Sequence, residues 1–175
     1  VLHSCSPTSN TKSEYYMSKA TDLMKKIHAE GNSSAPAKYN LILSYIDSAI
    51  YINPNNVDAY TLKVSILQIM GNDTLSLRTL RQVMNMRNDF PETYILMGTI
   101  FKRNQFEDSA KKYFYKAYQI YLTEPASDGR NLNLLMTCFM LSGNRDSTLS
   151  LLSVYPIHDS LTKEMLINSL GNVGK

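Results

Sequence analysis

The sequence has no tryptophan and only two cysteines, three histidines and seven glycines among its 175 residues. Two cysteines cannot build a disulfide framework. The histidines do not stand at metal-ligand spacing, and neither a paired-cysteine motif nor a His-Glu-x-x-His motif occurs. The glycines never cluster into a phosphate-binding loop. These absences argue against a metal site and a nucleotide site, and we expect no cofactor.

Neither sign of charge predominates in the sequence. Eighteen Lys and Arg residues oppose fifteen Asp and Glu residues, which leaves a formal charge of +3 with the two signs interspersed. This pattern gives no indication of nucleic-acid binding. No apolar run approaches the ~20 residues that a membrane-spanning helix needs. The composition, 43% hydrophobic and 19% charged, is typical of a globular protein.

Candidate catalytic groups are isolated from one another in the sequence. The Gly-x-Ser-x-Gly motif of serine hydrolases is absent, and no pattern orders Cys138 and His158 around a nucleophile. Cys138 falls in the apolar run 134–139, which predicts a buried structural thiol. We therefore expect a protein that is not an enzyme, with a hydrolase built on a helical array as the outlying alternative.

The first thirteen residues differ from the rest of the chain. The segment LHSC ending at Cys5 resembles the end of a bacterial lipoprotein signal, and in that family the cysteine carries lipid. The polar stretch 6–13 predicts a flexible tether. The expected organisation is a signal remnant and tether over 1–13 and a folded domain over 14–175. Lipidation at Cys5 would place the protein in the bacterial cell envelope; the alternative is an ordinary free cysteine on a cytoplasmic protein.

A period of 34 residues runs through the middle of the chain. Large apolar residues recur at positions 46, 80 and 114, and small or medium apolar residues recur at positions 49, 83 and 117. Tyr60 and Tyr94 are separated by the same interval. A fixed period of this length, with helical apolar spacing inside each unit, predicts pairs of helices that bury their faces on neighbouring units.

The best-matched unit resembles the tetratricopeptide repeat. That family carries an aromatic residue, a Leu-Gly pair and a tyrosine on the first helix, then an Ala-Phe-Ala series on the second. The resemblance implies an all-α, right-handed helical-hairpin solenoid, in which Gly98 and Ala117 face each other. The corresponding residues here are Tyr94, Met97, Gly98, Phe101, Ala110, Phe114 and Ala117.

The resemblance weakens outside this unit. In the preceding one, Lys63, Val64 and Ser76 replace the expected leucine, glycine and alanine, although Pro54 matches the closing proline before it. With the register included, the resemblance covers residues 14–156.

Apolar spacing and turn residues predict about four helix pairs and a C-terminal capping helix. Insertions within 32–37 and 123–129 lengthen the period and are predicted to be loops. Asp73 is the predicted cap of the fourth helix. The fourth helix is predicted to carry Leu77, Leu80, Val83 and Met84. The other predicted helices cover residues 16–30, 39–52, 57–70, 91–103, 106–122, 130–141, 145–155 and 159–170.

The resemblance also implies where a partner would bind. Ligand contacts in the family lie on the first helix of each pair, between the packing positions, and those packing positions are predicted here to include Leu132 and Phe139. The paired Lys and Asn set that clamps a C-terminal carboxylate in some members does not occur in this sequence. The implied partner-binding residues are Asp58, Thr61, Ser65, Gln68, Glu92, Ile95, Thr99, Lys102, Arg103, Arg130, Asn133 and Thr137.

Together these features predict a non-enzymatic scaffold of the bacterial envelope, tethered through Cys5, that binds a peptide or protein on its concave face. The alternative is a soluble cytosolic regulator or assembly chaperone of the same fold without a lipid anchor. Contact with a membrane is expected only through Cys5, and the partner and the oligomeric state are left open.

Overall fold

The computed structural model describes residues 9–30, 36–123, 128–154, 164–168 and 170, and it describes only the backbone of residues 9, 10 and 128–131. All regular secondary structure in these residues is helical, which confirms the predicted all-α class. Residues 164–168 form a further helical segment. The helices are α1 (Ser9–Ala29), α2 (Pro36–Ile52), α3 (Val57–Ile69), α4 (Asp73–Met86), α5 (Pro91–Arg103), α6 (Glu107–Thr123), α7 (Asp128–Ser142) and α8 (Arg145–Ser153).

Consecutive helices pack as hairpins within two compact units. The first unit covers Val1–Arg87, where α1 packs on α2, α2 on α3 and α3 on α4. The second unit covers Asn88–Lys175, where α5 packs on α6, α6 on α7 and α7 on α8. This is the helical-hairpin repeat that the 34-residue period predicts.

Asparagine side chains begin three of the helices. Asn56, Asn72 and Asn144 each accept a hydrogen bond from the backbone N–H three residues later, which satisfies a donor that the first turn cannot pair internally. Asn72 is the cap that was predicted at Asp73. Asp73 is instead the first residue of α4, where the positive end of the helix stabilises its carboxylate. Pro91 occupies the first turn of α5, where the missing N–H of proline costs no helical hydrogen bond.

The first helices of three pairs end in a left-handed residue. Gly71 after α3 and Gly143 after α7 have φ angles of +72° and +76°, and Gln105 after α5 has a φ of +65°. At both Gly71 and Gln105 the following residue donates its N–H to a carbonyl five residues back, at 2.8 and 2.9 Å. The repeat therefore preserves the helix end even where glutamine replaces glycine.

Helix α1 begins at Ser9, five residues before the predicted domain boundary. The Ser13 hydroxyl is fully buried; it donates to the Ala49 carbonyl at 3.0 Å and accepts from Asn56 Nδ2 at 3.1 Å. Because these bonds satisfy a buried hydroxyl, they join α1 to the end of α2 and to the cap of α3. The part of the predicted tether over 9–13 is thus helical, and residues 1–8 lie outside the described residues.

The periodic positions form the core, as predicted. The residues at 46, 80 and 114 and those at 49, 83 and 117 are all buried. In the first unit, Ile42, Ile46 and Ala49 of α2 pack with Ala20 and Ile27 of α1. Lys63, which departs from the repeat pattern, places its ammonium 2.6 Å from an Asp47 carboxylate oxygen and so links α3 to α2 at the surface.

The nearest atoms to Gly98 belong to the aromatic ring of Phe114 on α6. A Cβ added to Gly98 would lie 2.5 Å from Phe114 Cε1 and 2.6 Å from Phe114 Cδ1. Real Cβ atoms do not approach other heavy atoms so closely, and the Phe114 side chain is itself buried. The absence of a side chain at Gly98 therefore allows α5 and α6 to approach each other through the Phe114 ring.

The predicted packing positions on α7 are wrong. Leu132 and Phe139 are 53% and 38% exposed, whereas Leu134 and Cys138 are fully buried. The two helices can be aligned by their buried residues or by their ends. The buried Leu134 stands 40 residues after the buried Tyr94, whereas Gly143 at the end of α7 stands only 38 residues after Gln105 at the end of α5. The predicted positions are therefore two residues out of register, and a displacement of two residues turns a helix by about 200°, which places the wrong face of α7 against the core.

Candidate functional site

In the first unit the candidate residues share one side of α3. Asp58, Thr61, Ser65 and Gln68 follow the three- and four-residue spacing of a helix face, and none of them is fully buried. The Thr61 and Ser65 hydroxyls donate to carbonyls one turn earlier, at 3.0 and 3.1 Å. The Gln68 Nε2 atom is buried and has no hydrogen-bond partner among the described residues. This face therefore contains one amide donor without a partner in the described part of the chain.

In the second unit the candidate residues of α5 differ from one another in environment. Lys102 and Arg103 are exposed at the end of the helix, where positive charge is favoured. Ile95 is partly buried against the core of this unit. The Thr99 hydroxyl donates to the Ile95 carbonyl at 2.9 Å and lies 3.8 Å from Met140 Sδ of α7. The face is thus charged at one end and packed at its centre.

The Glu92 carboxylate is the least satisfied group of α5. Its Oε1 atom accepts a hydrogen bond of 3.3 Å from the Tyr121 hydroxyl of α6. Its Oε2 atom is buried and has no hydrogen-bond partner within the described part of the chain. A buried carboxylate oxygen without a donor is unfavourable, so a ligand that supplies an N–H would be stabilised here.

The candidate residues of α7 agree least with the prediction. Thr137 is fully buried, and its hydroxyl donates to the Asn133 carbonyl at 2.8 Å, so it is not accessible to a partner. Asn133 is partly exposed, while the side chain of Arg130 lies outside the described residues. Thr137 is buried because α7 is rotated relative to the prediction, which turns Leu132 and Phe139 outward instead.

Three apolar residues line the outward side of α7: Leu132, Met136 and Phe139 are 53%, 47% and 38% exposed. Their spacing of four and three residues places them on one face, and we call them the α7 stripe. The sequence contained a signal for it, because residues 132–141 hold more apolar side chains than one core-facing side accommodates.

Other chemistry is limited in the described residues. They contain no group of His, Cys, Asp or Glu side chains that could hold a metal ion. Cys138 is fully buried, and that burial raises the pKa of its thiol to about 12, which confirms the prediction of a structural thiol. An open pocket of about 440 Å³ lies in the first unit, lined by Tyr16, Asp47, Ser48, Tyr51 and Ile52.

No helix within the described ranges is both long enough and apolar enough to cross a membrane. Cys5, the predicted site of lipid attachment, lies outside the residues that the structure describes.

The described helices form a tetratricopeptide-like fold of consecutive hairpins, and solved structures match it. The Yersinia enterocolitica type III secretion translocator chaperone SycD matches with a TM-score of 0.60 at 12% identity, over 79% of this chain and 99% of that one. PcrH in complex with the chaperone-binding region of PopD matches with a TM-score of 0.58 at 14% identity, over 74% and 91%. MamA matches with a TM-score of 0.50 at 12% identity, over 91% and 80%. These similarities establish the fold.

Comparison of the sequence itself identifies no relative. No family model matches the chain, and no curated protein matches it.

Proposed function

We propose that this protein binds a segment of a partner protein on the outward faces of α3, α5 and α7, which are the first helices of their pairs. The observation that carries the proposal is the fold match to SycD and PcrH, since solved structures hold SycD with a peptide of the translocator YopD and PcrH with the chaperone-binding region of PopD. This similarity favours the chaperone-like alternative over an envelope scaffold.

The chemistry of the proposed faces supports a peptide or protein ligand. In the first unit they present Asp58, Thr61, Ser65 and Gln68. In the second they present Glu92, Ile95, Thr99, Lys102 and Arg103, with Asn133 and Arg130 of α7 as further candidates. Such a mixture of charges, amides and apolar groups suits a polypeptide with both backbone and side-chain groups to pair.

Charge reversal at Lys102 and Arg103 is expected to weaken partner binding. Both residues are exposed on α5, so K102E and R103E together replace two positive charges by two negative ones on the proposed surface. The partner is captured with the immobilised full chain, identified and purified, and its affinity is measured by titration calorimetry. We expect the double variant to lose about tenfold or more in affinity, while its helical circular dichroism is retained.

The control is the same charge change on a second helix. Lys111 and Lys112 are exposed neighbours on α6, so K111E and K112E alter the net charge equally but on a different helix. We expect this variant to bind as the unaltered protein does. Equal losses for both double variants would mean that only net charge matters, and an unchanged affinity for the first would remove Lys102 and Arg103 from the site.

Lipid attachment at Cys5 remains a separate proposal that rests on the LHSC segment alone. If the full-length gene product is expressed in a bacterium, C5S is expected to release it from the membrane fraction. Several acyl chains are expected on Cys5 in the mass spectrum of the unaltered product, because one chain binds a bilayer only weakly. An unlipidated, fully released product would refute the anchor and leave the binding proposal intact.

A further inference from the structure

The α7 stripe begins level with Glu92 of α5, whose carboxylate has one oxygen without a donor in the described part of the chain. The helices α5 and α7 are in contact, since Thr99 Oγ1 lies 3.8 Å from Met140 Sδ and Ile95 packs against the cluster that contains Leu134 and Leu135. Two successive hairpins, α5 with α6 and α6 with α7, make α5 and α7 run in the same direction. Glu92 precedes Thr99 by seven residues, as Asn133 precedes Met140. Glu92 is therefore level with the start of the stripe.

The carboxylate of Glu92 is not neutralised within the described residues. None of the described ion pairs, Lys25–Asp22, Lys38–Glu30 and Lys63–Asp47, involves Glu92. The Tyr121 hydroxyl bonds only one of the two Glu92 oxygens, and the other is buried without a donor. A charge in this state is compensated most effectively by a cation that also donates a hydrogen bond.

The α7 stripe offers apolar surface to the same ligand. Leu132, Met136 and Phe139 expose apolar surface on consecutive turns of one helix, and methionine and phenylalanine are well suited to contact varied apolar side chains. An apolar face that is level with a half-buried carboxylate selects for a segment with apolar side chains and one positive charge.

We propose that the α7 stripe and Glu92 together bind a segment of a partner protein that carries apolar side chains flanked by a lysine or arginine. This inference rests on the proposed function and specifies the class of segment that it recognises. The apolar side chains cover the stripe, and the lysine or arginine donates an N–H to Glu92 Oε2.

The test uses peptides selected on the full-length protein. A displayed library of random peptides is panned on the immobilised chain, and the selected sequences are expected to be enriched in apolar residues with one lysine or arginine. A selected peptide is then synthesised with a fluorescent label, and its affinity is measured by anisotropy. F139S and M136S are each expected to weaken binding about tenfold or more, because they remove apolar contact surface from the centre of the site.

Two matched controls separate the contributions. Y115S removes an exposed aromatic ring from α6 and is expected to leave the affinity unchanged. E92Q keeps an acceptor for the Tyr121 hydroxyl while it removes the charge. It is expected to weaken the selected peptide by about threefold to tenfold, and to have no effect on the same peptide with its lysine or arginine replaced by norleucine.

The outcomes distinguish this inference from the proposed function. Selected peptides that show no enrichment of lysine or arginine, or that bind F139S, M136S and E92Q normally, would overturn the inference and leave peptide binding itself intact. Failure to enrich any peptide would contradict both. Sedimentation that shows a dimer abolished by F139S would assign the stripe to a second copy of the chain, and this too would overturn the inference.

Discussion

G98L is expected to destabilise the protein by about 1–3 kcal/mol, because the close contact of α5 with α6 has no room for a side chain. Even the first carbon of a side chain would lie within 3 Å of three atoms of the Phe114 ring, and that ring is fully buried. In a chain of this length the loss corresponds to a fall in melting temperature of roughly 2–12 °C.

G98A provides the sharper comparison. In an exposed helix interior, replacing glycine by alanine stabilises by about 0.8–1 kcal/mol, so a loss of stability would show that packing outweighs helix propensity. We expect G98A to lower the melting temperature, and F114L to lessen this loss in the double variant, because leucine has no ring at the contact. A rise in melting temperature for either glycine substitution would contradict the described approach of the two helices.

Cys138 is expected to react with a thiol reagent at pH 8 at least roughly a thousand times more slowly in the folded protein than in the unfolded chain. Burial raises the pKa of its thiol from 9.0 to about 12, and the thiolate is the reactive form. The rate is measured with a disulfide reagent on the C5S variant, which leaves Cys138 as the sole cysteine. The same variant in denaturant provides the unfolded reference. Rapid labelling of the folded protein would contradict the burial of α7 against its neighbours.

The same shift makes stability depend on pH in a defined direction. Between pH 9 and pH 12 the unfolded thiol loses its proton while the folded thiol keeps it, so the unfolded state binds fewer protons. This contribution to stability is complete below pH 9 and decreases as the pH rises toward 12. C138A is expected to have a shallower loss of stability across this range, which is measured by urea denaturation at several pH values.

The fold was largely predictable because packing between helices requires particular residue sizes, and these recur along the sequence at a fixed interval. Large residues at 46, 80 and 114 and small or medium residues at 49, 83 and 117 recur on the second helices α2, α4 and α6, and the structure buries all six. Local chemistry was less decisive at helix starts, where Asn72 rather than the predicted Asp73 caps α4. The sequence did not distinguish Asn72 from Asp73, because either of two adjacent polar residues can cap a helix.

The candidate site was less predictable, and α7 shows why. Its rotation depends on which apolar residues the neighbouring helices accept. Leu132, Leu134, Leu135, Met136 and Phe139 offer the core more than one possible face. The sequence therefore predicted a helix there but placed Thr137 outward and Leu132 and Phe139 inward. Glu92 was predicted as a surface position. Its environment depends on Tyr121, 29 residues away, which bonds one carboxylate oxygen while the other stays without a donor in the described part of the chain.

Hydrogen exchange on the full chain with its captured, purified partner tests the central claim most directly. Amides in 57–69 and 91–103 are expected to exchange more slowly in the complex than in the free protein, together with the outward side of 128–142. Amides in 73–86 and 107–123 are expected to change little, since the second helices are proposed to lie away from the bound segment. Protection confined to these second helices would contradict binding on the faces of the first helices.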